Sequence, residues 1–443
     1  MQYQLIFGTS VMNNAPPQIP WPVIAFPGRT LAGRSGFQIN EDIMGRHILL
    51  LGGSGCGKTN AFCYTVEALR ESMGEEDIAI IFDTKGEFFD GFSREGDYVI
   101  GNSARFRPIS CTWNIFDEIL ADGWDEENIS LNARELAAAL FHERGSSSQP
   151  FFCNAARDIF RAVLIHFTRQ AKADPEQWRP RLNNADLLKA LQSFQTQHYL
   201  QIFNHYADMR SLVSYLGDGK SNQALGVFGE LNSMFSEYFV GILAAHDPSR
   251  SVSMRGAVRR KGGRAIFVEY DLAVGETLTP IYRLLMDQAL KEALSRREKA
   301  GNVYFIADEF KLLPKLQHID DALNFGRGLG VRVMAGIQSI DQLYDVYGKD
   351  KGAVIASGFG SIFAFHTNDG SSRDYITKRF GKNIVAYEYA SEQKNTIVSR
   401  ERDGNTVEEW EQLELGLGQA VIGLGYDAPF LFQFDEYGKR GQP

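Results

Sequence analysis

Apolar residues cluster in short runs along much of this chain, at 46–51, 78–82, 264–270, 303–307 and 331–337. Continuous apolar runs of this length suit strands buried on both faces of a parallel sheet. Helical signals lie between them. Residues 59–66 leave the first run as a helix, and Thr279 before Pro280 predicts the N-cap and first residue of a helix reaching to about Lys299. Alternating strands and helices predict an α/β fold. From about 121 to 246 the texture changes to helix after helix. Phe152, Ala155, Ala156, Ile159, Phe160, Val163, Leu164 and Phe167 recur at helical spacing, and they read as a helical core rather than a base-stacking platform. Asn132 with Glu135 three positions on predicts a capping box for a helix through Phe141, and Ser146, Ser147, Ser148, Gln149 and Pro150 predict its break. No comparably strong strand pattern interrupts this stretch, so an all-α insertion is expected.

The first run opens into Gly52, Gly53, Ser54, Gly55, Cys56, Gly57, Lys58 and Thr59, a complete Walker A octet with Asn60 following it. The glycines let the backbone turn tightly enough for successive N–H groups to converge on phosphate oxygens. The positive end of the following helix adds to the attraction. Lys58 is placed to reach the β- and γ-phosphates and the Thr59 hydroxyl to ligate Mg²⁺, so ATP and Mg²⁺ are the cofactors expected. The preference for ATP over GTP stays open.

The run 303–307 ends in Asp308 and Glu309, a Walker B pair. Asp308 is read as holding the Mg²⁺ shell and Glu309 as polarising an attacking water. Asp83, at the end of 78–82, competes for the first role; Asp308 is preferred because a second carboxylate follows it directly. Gln338, closing the run 331–337, is a candidate sensor of the γ-phosphate or the water. Arg327 sits in the glycine-flanked loop 324–330, where a guanidinium either reaches a neighbouring subunit's γ-phosphate or remains a surface residue.

At 443 residues the chain has room for roughly two to three domains. Its net charge of −9 excludes a protein that coats nucleic acid with its whole surface, though not one with a local basic groove. The clearest basic segment carries Arg250, Arg255, Arg259, Arg260, Lys261 and Arg264 with no acid among them. It either follows a phosphate backbone through residues such as Arg255, Arg259, Arg260 and Lys261, or forms a solvated hairpin around Lys261–Gly262–Gly263. Cys56, Cys63, Cys111 and Cys153 make no metal-like spacing and read as reduced thiols. The longest uncharged stretch, 352–365, falls short of the ~20 residues that span a bilayer. A cytoplasmic chain is expected.

Together these motifs resemble the coupling ATPases of conjugation and type IV secretion, within the FtsK/HerA-like group of P-loop motors. The likeness rests on Arg46–His47 before the P-loop, the Asp83-Thr84-Lys85-Gly86-Glu87 turn, an aromatic-Ala-Ala-Arg-like stretch from Phe152 to Arg157, Asp308-Glu309-Phe310, Arg327 in a Gly-Arg-Gly turn, and Gln338–Ser339. It covers about 26–437. The resemblance implies a RecA-like nucleotide-binding domain with a mostly parallel central sheet at 45–120 and 256–437, and an all-α domain at 121–255. A β or extended lead-in at 1–44 and a short tail at 438–443 flank them. It further implies homo-hexamers, formed on DNA, with ATP between subunits, Arg327 acting in trans and Arg46 adding a phosphate contact. Family members usually begin with transmembrane helices; this chain reads as a soluble member whose membrane contact comes through a partner.

The expected function is an ATP-driven DNA translocase that delivers DNA, or a relaxase–DNA complex, to a type IV secretion channel. Two rivals are a double-stranded DNA translocase unrelated to secretion and an ATP-switched adaptor that recruits protein substrates. Strandedness, cargo and direction of travel are not set by the sequence.

Overall fold

The computed structural model describes residues 3–142, 150–391, 396–425 and 428–438; the predicted break at 146–149 and the end of the tail lie outside them. The chain divides into two compact units. One comprises Met1–Arg94, Gly262–Arg264 and Ala293–Pro443, the other Glu95–Lys261 and Ala265–Glu292.

In the first unit the apolar runs become the strands of one sheet. Its central strands are ordered Ser361–Phe365, Ile48–Leu51, Val331–Ile337, Val303–Ala307 and Ile78–Asp83, all parallel. Every residue of these strands is buried. Their sequences lack alternation because both faces are covered. The register pairs Ile337 with Leu51 and Ala335 with Ala307. That alignment brings the residues following these strands, Gly52, Gln338 and Asp308, to one edge of the sheet. Beyond Ser361–Phe365 the strands Gln419–Gly423, Phe430–Phe434, Gly28–Thr30 and Gly33–Arg34 continue antiparallel. Phe26, Phe37, Phe363, Phe432 and Phe434 pack there ring against ring, Phe26 and Phe37 stacked at 4.7 Å and Phe432 edge-on to Phe37 at 4.7 Å. Buried rings of this kind contribute ~1.5–3 kcal/mol each and hold the antiparallel strands to the sheet. Separately, Lys382–Ser391 pairs with Thr396–Asn405, and Tyr3–Phe7 lies antiparallel on the hairpin's edge.

The second unit holds the predicted helices. Between Glu126 and Tyr238 its described residues form helices, 3-10 turns and loops, the longest helix being Pro150–Ala173. Ala155, Ala156, Ile159, Phe160, Val163, Leu164 and Phe167 are buried in it, as the spacing predicts, whereas Phe152 is only half-buried and the neighbouring Cys153 is buried in its place. Short parallel pairings join Arg264–Glu269 to Tyr98–Gly101 and Ser251–Val252 to Thr112–Trp113.

Two predicted helix starts are corrected. Helix Glu126–Leu140 begins six residues before Asn132 does, capped by Asp125, whose carboxylate accepts from the N–H groups of Glu127 and Asn128 at 3.2 Å. Asn132 is buried mid-helix and donates to the Ile119 carbonyl at 3.0 Å. Thr279 is likewise internal to Gly275–Leu294, which ends before Lys299. Its hydroxyl donates to the Gly275 carbonyl at 3.1 Å, just before the proline that has no N–H to give.

Candidate functional site

The strand Ile48–Leu51 delivers the chain into the glycine octet, and the helix Lys58–Ser72 leaves it. Gly55 and Gly57 hold φ of +72° and +111°, a region costly to any residue with a Cβ. A Cβ at Gly57 would stand 2.9 Å from the Gly418 Cα. The helix starts with no side-chain cap and no acid in its first turn. Its first N–H groups are therefore open to an anion, which the helix dipole favours. Lys58 is buried, its Nζ donating to the carbonyls of Gly52 at 2.6 Å and Gly53 at 3.0 Å. Ser54 and Gly55 form the exposed lip. The Cys56 thiol is buried and pushed up by that burial, which suits packing and not nucleophilic chemistry. The Asn60 side chain is committed elsewhere: it donates to the Asp435 carbonyl at 2.9 Å and accepts from the Tyr437 N–H at 2.5 Å.

Opposite the loop, the Thr59 hydroxyl donates to Asp308 Oδ2 at 2.7 Å across 249 residues of sequence. Burial pushes the Asp308 carboxyl up, opposed by the Thr59 hydrogen bond and the Lys58 charge. Gln338 Nε2 donates to Glu309 Oε2 at 2.9 Å, while Glu309 Oε1 is buried with no hydrogen-bond partner. Gly336 makes this closeness possible, since a Cβ there would lie 2.2 Å from the Asp308 carbonyl oxygen. A hydroxyl and a buried carboxylate in contact are hard oxygen donors of the type Mg²⁺ takes alongside phosphate oxygens and water, so Thr59 and Asp308 fit that ion. Asp83 does not compete. Its Oδ1 accepts from the N–H groups of Lys85 and Gly86 and its Oδ2 from those of Phe88 and Phe89, at 2.8–3.1 Å. It builds its own turn instead.

Arg46 and Arg327 lie at the other end of the strands, Arg46 before Ile48–Leu51 and Arg327 before Val331–Ile337. That seven-residue strand spans roughly 20 Å, so neither guanidinium reaches its own chain's P-loop. The structure brings the two together on Asp42. Arg46 Nη2 is 2.9 Å from Asp42 Oδ2, and Arg327 Nη2 pairs with Oδ1 of the same carboxylate. Asp42 is not among the residues the sequence singles out, although its spacing of four from Arg46, just past a short helix, is a usable signal.

The basic segment is not an open stripe. Ser253 caps the helix Met254–Arg260, with the buried Glu118 accepting from the Met254 N–H at 2.5 Å. Arg255 is 2% exposed and pairs with Asp122 and Glu292, each at 2.9 Å. Arg259 pairs with the same two carboxylates at 2.6 Å. Burial alone would raise the Asp122 carboxyl, but bonds from Arg255, Asn132 and Arg259 hold it well below the usual range. Lys261 is buried at the turn with φ +52°, and Arg260 is exposed.

Residues 34–414 match the family model described as the type IV secretion-system coupling protein DNA-binding domain. Protein VirD4 of Rhizobium radiobacter is 28% identical over 352 residues, 72% of this chain and 46% of that protein. Protein VirD4 of Rhizobium rhizogenes is 25% identical over 351 residues, 73% of this chain and 47% of that protein. The coupling protein TraD of Escherichia coli is 23% identical over 364 residues, 81% and 47%. The chain spans about half the length of the curated relatives it matches. Among solved structures, the conjugative coupling protein TrwBdeltaN70 in complex with sulphate aligns with a TM-score of 0.73 at 19% identity, covering 98% of this chain and 95% of that one. TrwB in complex with ADP and Mg²⁺ aligns at 0.68 and 20%, covering 90% and 87%. The fold is accordingly the RecA-like P-loop architecture with a helical domain.

Proposed function

We propose, since this chain belongs to the family of type IV secretion-system coupling proteins, that it is a Mg²⁺-dependent ATPase motor moving DNA, or a relaxase–DNA complex, toward a secretion channel. The 2.7 Å contact between Thr59 and Asp308 carries this reading. It joins the phosphate loop to the Walker B carboxylates across the strand that ends in Gln338. The shared fold with TrwB, solved in complex with ADP and Mg²⁺, supports nucleotide and metal binding here.

On entry of a triphosphate, Lys58 exchanges the Gly52 and Gly53 carbonyls for β- and γ-phosphate oxygens, and the uncapped helix amides take the remaining phosphate charge. Thr59 and Asp308 would hold Mg²⁺, which would supply positive charge to offset that of the phosphates. Glu309 accepts a proton from the attacking water through its unpartnered Oε1, and Gln338 keeps that carboxylate aimed. The water oxygen bonds to the γ-phosphorus as the bond to the β-phosphate oxygen breaks, releasing ADP and phosphate. Arg327, with Arg46 beside it, stabilises the developing charge on a neighbouring subunit's nucleotide, because its own lies a strand's length away. An arginine acting in trans calls for an oligomer, a homo-hexamer in the reading favoured here, with DNA and channel components as partners.

The test is ATP turnover over a range of protein concentrations, with and without single- and double-stranded DNA. The expected result is turnover that rises with concentration, is stimulated by DNA and is abolished by Lys58→Ala. Turnover indifferent to every nucleic acid, with cargo binding retained in Glu309→Gln, would instead establish the recruitment adaptor. DNA-driven turnover without binding to relaxase or channel components would establish the translocase unrelated to secretion.

A further inference from the structure

We infer that Asp42 is a positioning residue for the trans-acting arginine: its single carboxylate ties Arg327 to the largely buried Arg46 and so aims Arg327 toward a neighbouring subunit's γ-phosphate. This rests on the trans reading given above and deepens it. The two arginines come from segments far apart in sequence, and Asp42 spends one oxygen on each. Of the three side chains Arg327 is 50% and Asp42 53% exposed while Arg46 is 9% exposed, so Arg327 is the guanidinium that a neighbouring subunit can meet. An ordinary exposed ion pair would leave the loop free to wander, and this loop is pinned twice more. Arg332, 4% exposed, donates to the Arg327 carbonyl at 3.1 Å and pairs with Glu41, the residue before Asp42, at 3.2 Å. Gly45 gives the Arg327 stem its seat: a Cβ there would stand 3.2 Å from Arg327 Cγ. The helix Glu41–Met44 thus holds the loop backbone through Glu41 and the loop guanidinium through Asp42. Only one N–H of Arg327 is committed to Asp42, which leaves the rest of the fork to meet phosphate oxygens.

The experiment measures DNA-stimulated turnover and Mg·ATP affinity for the full chain and for Asp42→Ala, Asp42→Asn, Arg327→Ala and the Asp42→Ala/Arg327→Ala pair. Asp42→Ala is expected to lower kcat about ten- to a hundredfold, the scale of a misplaced reacting group, with nucleotide affinity unchanged. The double variant is expected to be no slower than Arg327→Ala alone. Asp42→Asn keeps the shape and one acceptor, and it should fall between wild type and Asp42→Ala even if the alanine variant folds poorly. Wild-type kcat in both Asp42 variants beside an inactive Arg327→Ala would overturn the assignment. So would losses that multiply in the double variant as they do at independent sites. If Arg327→Ala itself turns over normally, the trans arginine is refuted and Asp42's role with it, an outcome distinct from the first.

Discussion

At Glu309, one carboxylate oxygen accepts the Gln338 amide at 2.9 Å while the other is buried with no hydrogen-bond partner. Removing the amide frees the carboxylate to rotate without touching the phosphate loop. Gln338→Ala is therefore expected to lower turnover at saturating ATP about a hundredfold, the scale of losing an aimed general base. A fluorescent-nucleotide titration should show unchanged affinity; an equal loss in binding would contradict the assignment. Asp308 gives a pH prediction. Burial, only partly opposed by Thr59 and Lys58, raises its carboxyl above the ordinary value near 3.8. Between that value and the raised one the folded chain keeps a proton that the unfolded chain has released, so this group's contribution to stability falls as pH rises through the window. Asp308→Asn removes the penalty. The metal-free variant should melt higher than wild type at neutral pH, the gap closing below the ordinary carboxylate range, while it loses the melting-temperature gain that Mg·ATP gives wild type. A lower melting temperature at neutral pH would contradict this.

Elements differ in how openly the sequence announces them. The strands 303–307 and 331–337 stand where the sequence pattern begins and ends, because burial on both faces leaves one polar side chain between them, Arg332, which is itself buried against Glu41. Helix starts were harder. A cap signal at Asn132 lost to an earlier one at Asp125, and Thr279–Pro280 fell inside a helix that begins at Gly275. Local cap chemistry is satisfied at many positions, and tertiary packing chooses among them. The site followed the same rule. Lys58 and Thr59 are legible from the glycine octet they close, and Asp308 and Glu309 from the buried strand they follow, whereas Asp42 meets Arg327 across 285 residues with no periodicity to betray it. Arg255 and Arg259 showed charge in sequence, and only the fold revealed Asp122 and Glu292 beneath them. At the element scale, Gly336 sets the approach of its strand to Asp308. Gly336→Ala is expected to cost about 1–3 kcal/mol, the usual range for overpacking. It should also weaken Mg²⁺-dependent nucleotide binding, as read by denaturant melts and by titration with and without the metal. Unchanged stability would show that the contact gives way freely.

At the scale of the whole molecule, the chain's net charge of −9 leaves any nucleic-acid contact to local patches of its surface. No helix among the described residues is long and apolar enough to cross a membrane. The proposed sharing of the site between copies rests on the layout of the sheet: the phosphate loop at one end of the strands, Arg46 and Arg327 at the other. The most direct measurement is therefore subunit mixing. Lys58→Ala chains keep their arginines and lack a working phosphate loop, while Arg327→Ala chains keep the loop and lack the arginine. Each alone should be inactive with DNA present, and mixing them should restore a measurable fraction of wild-type ATP turnover at the mixed interfaces. A mixture as silent as its parts, or an Arg327→Ala chain active by itself, would contradict catalysis shared between neighbours.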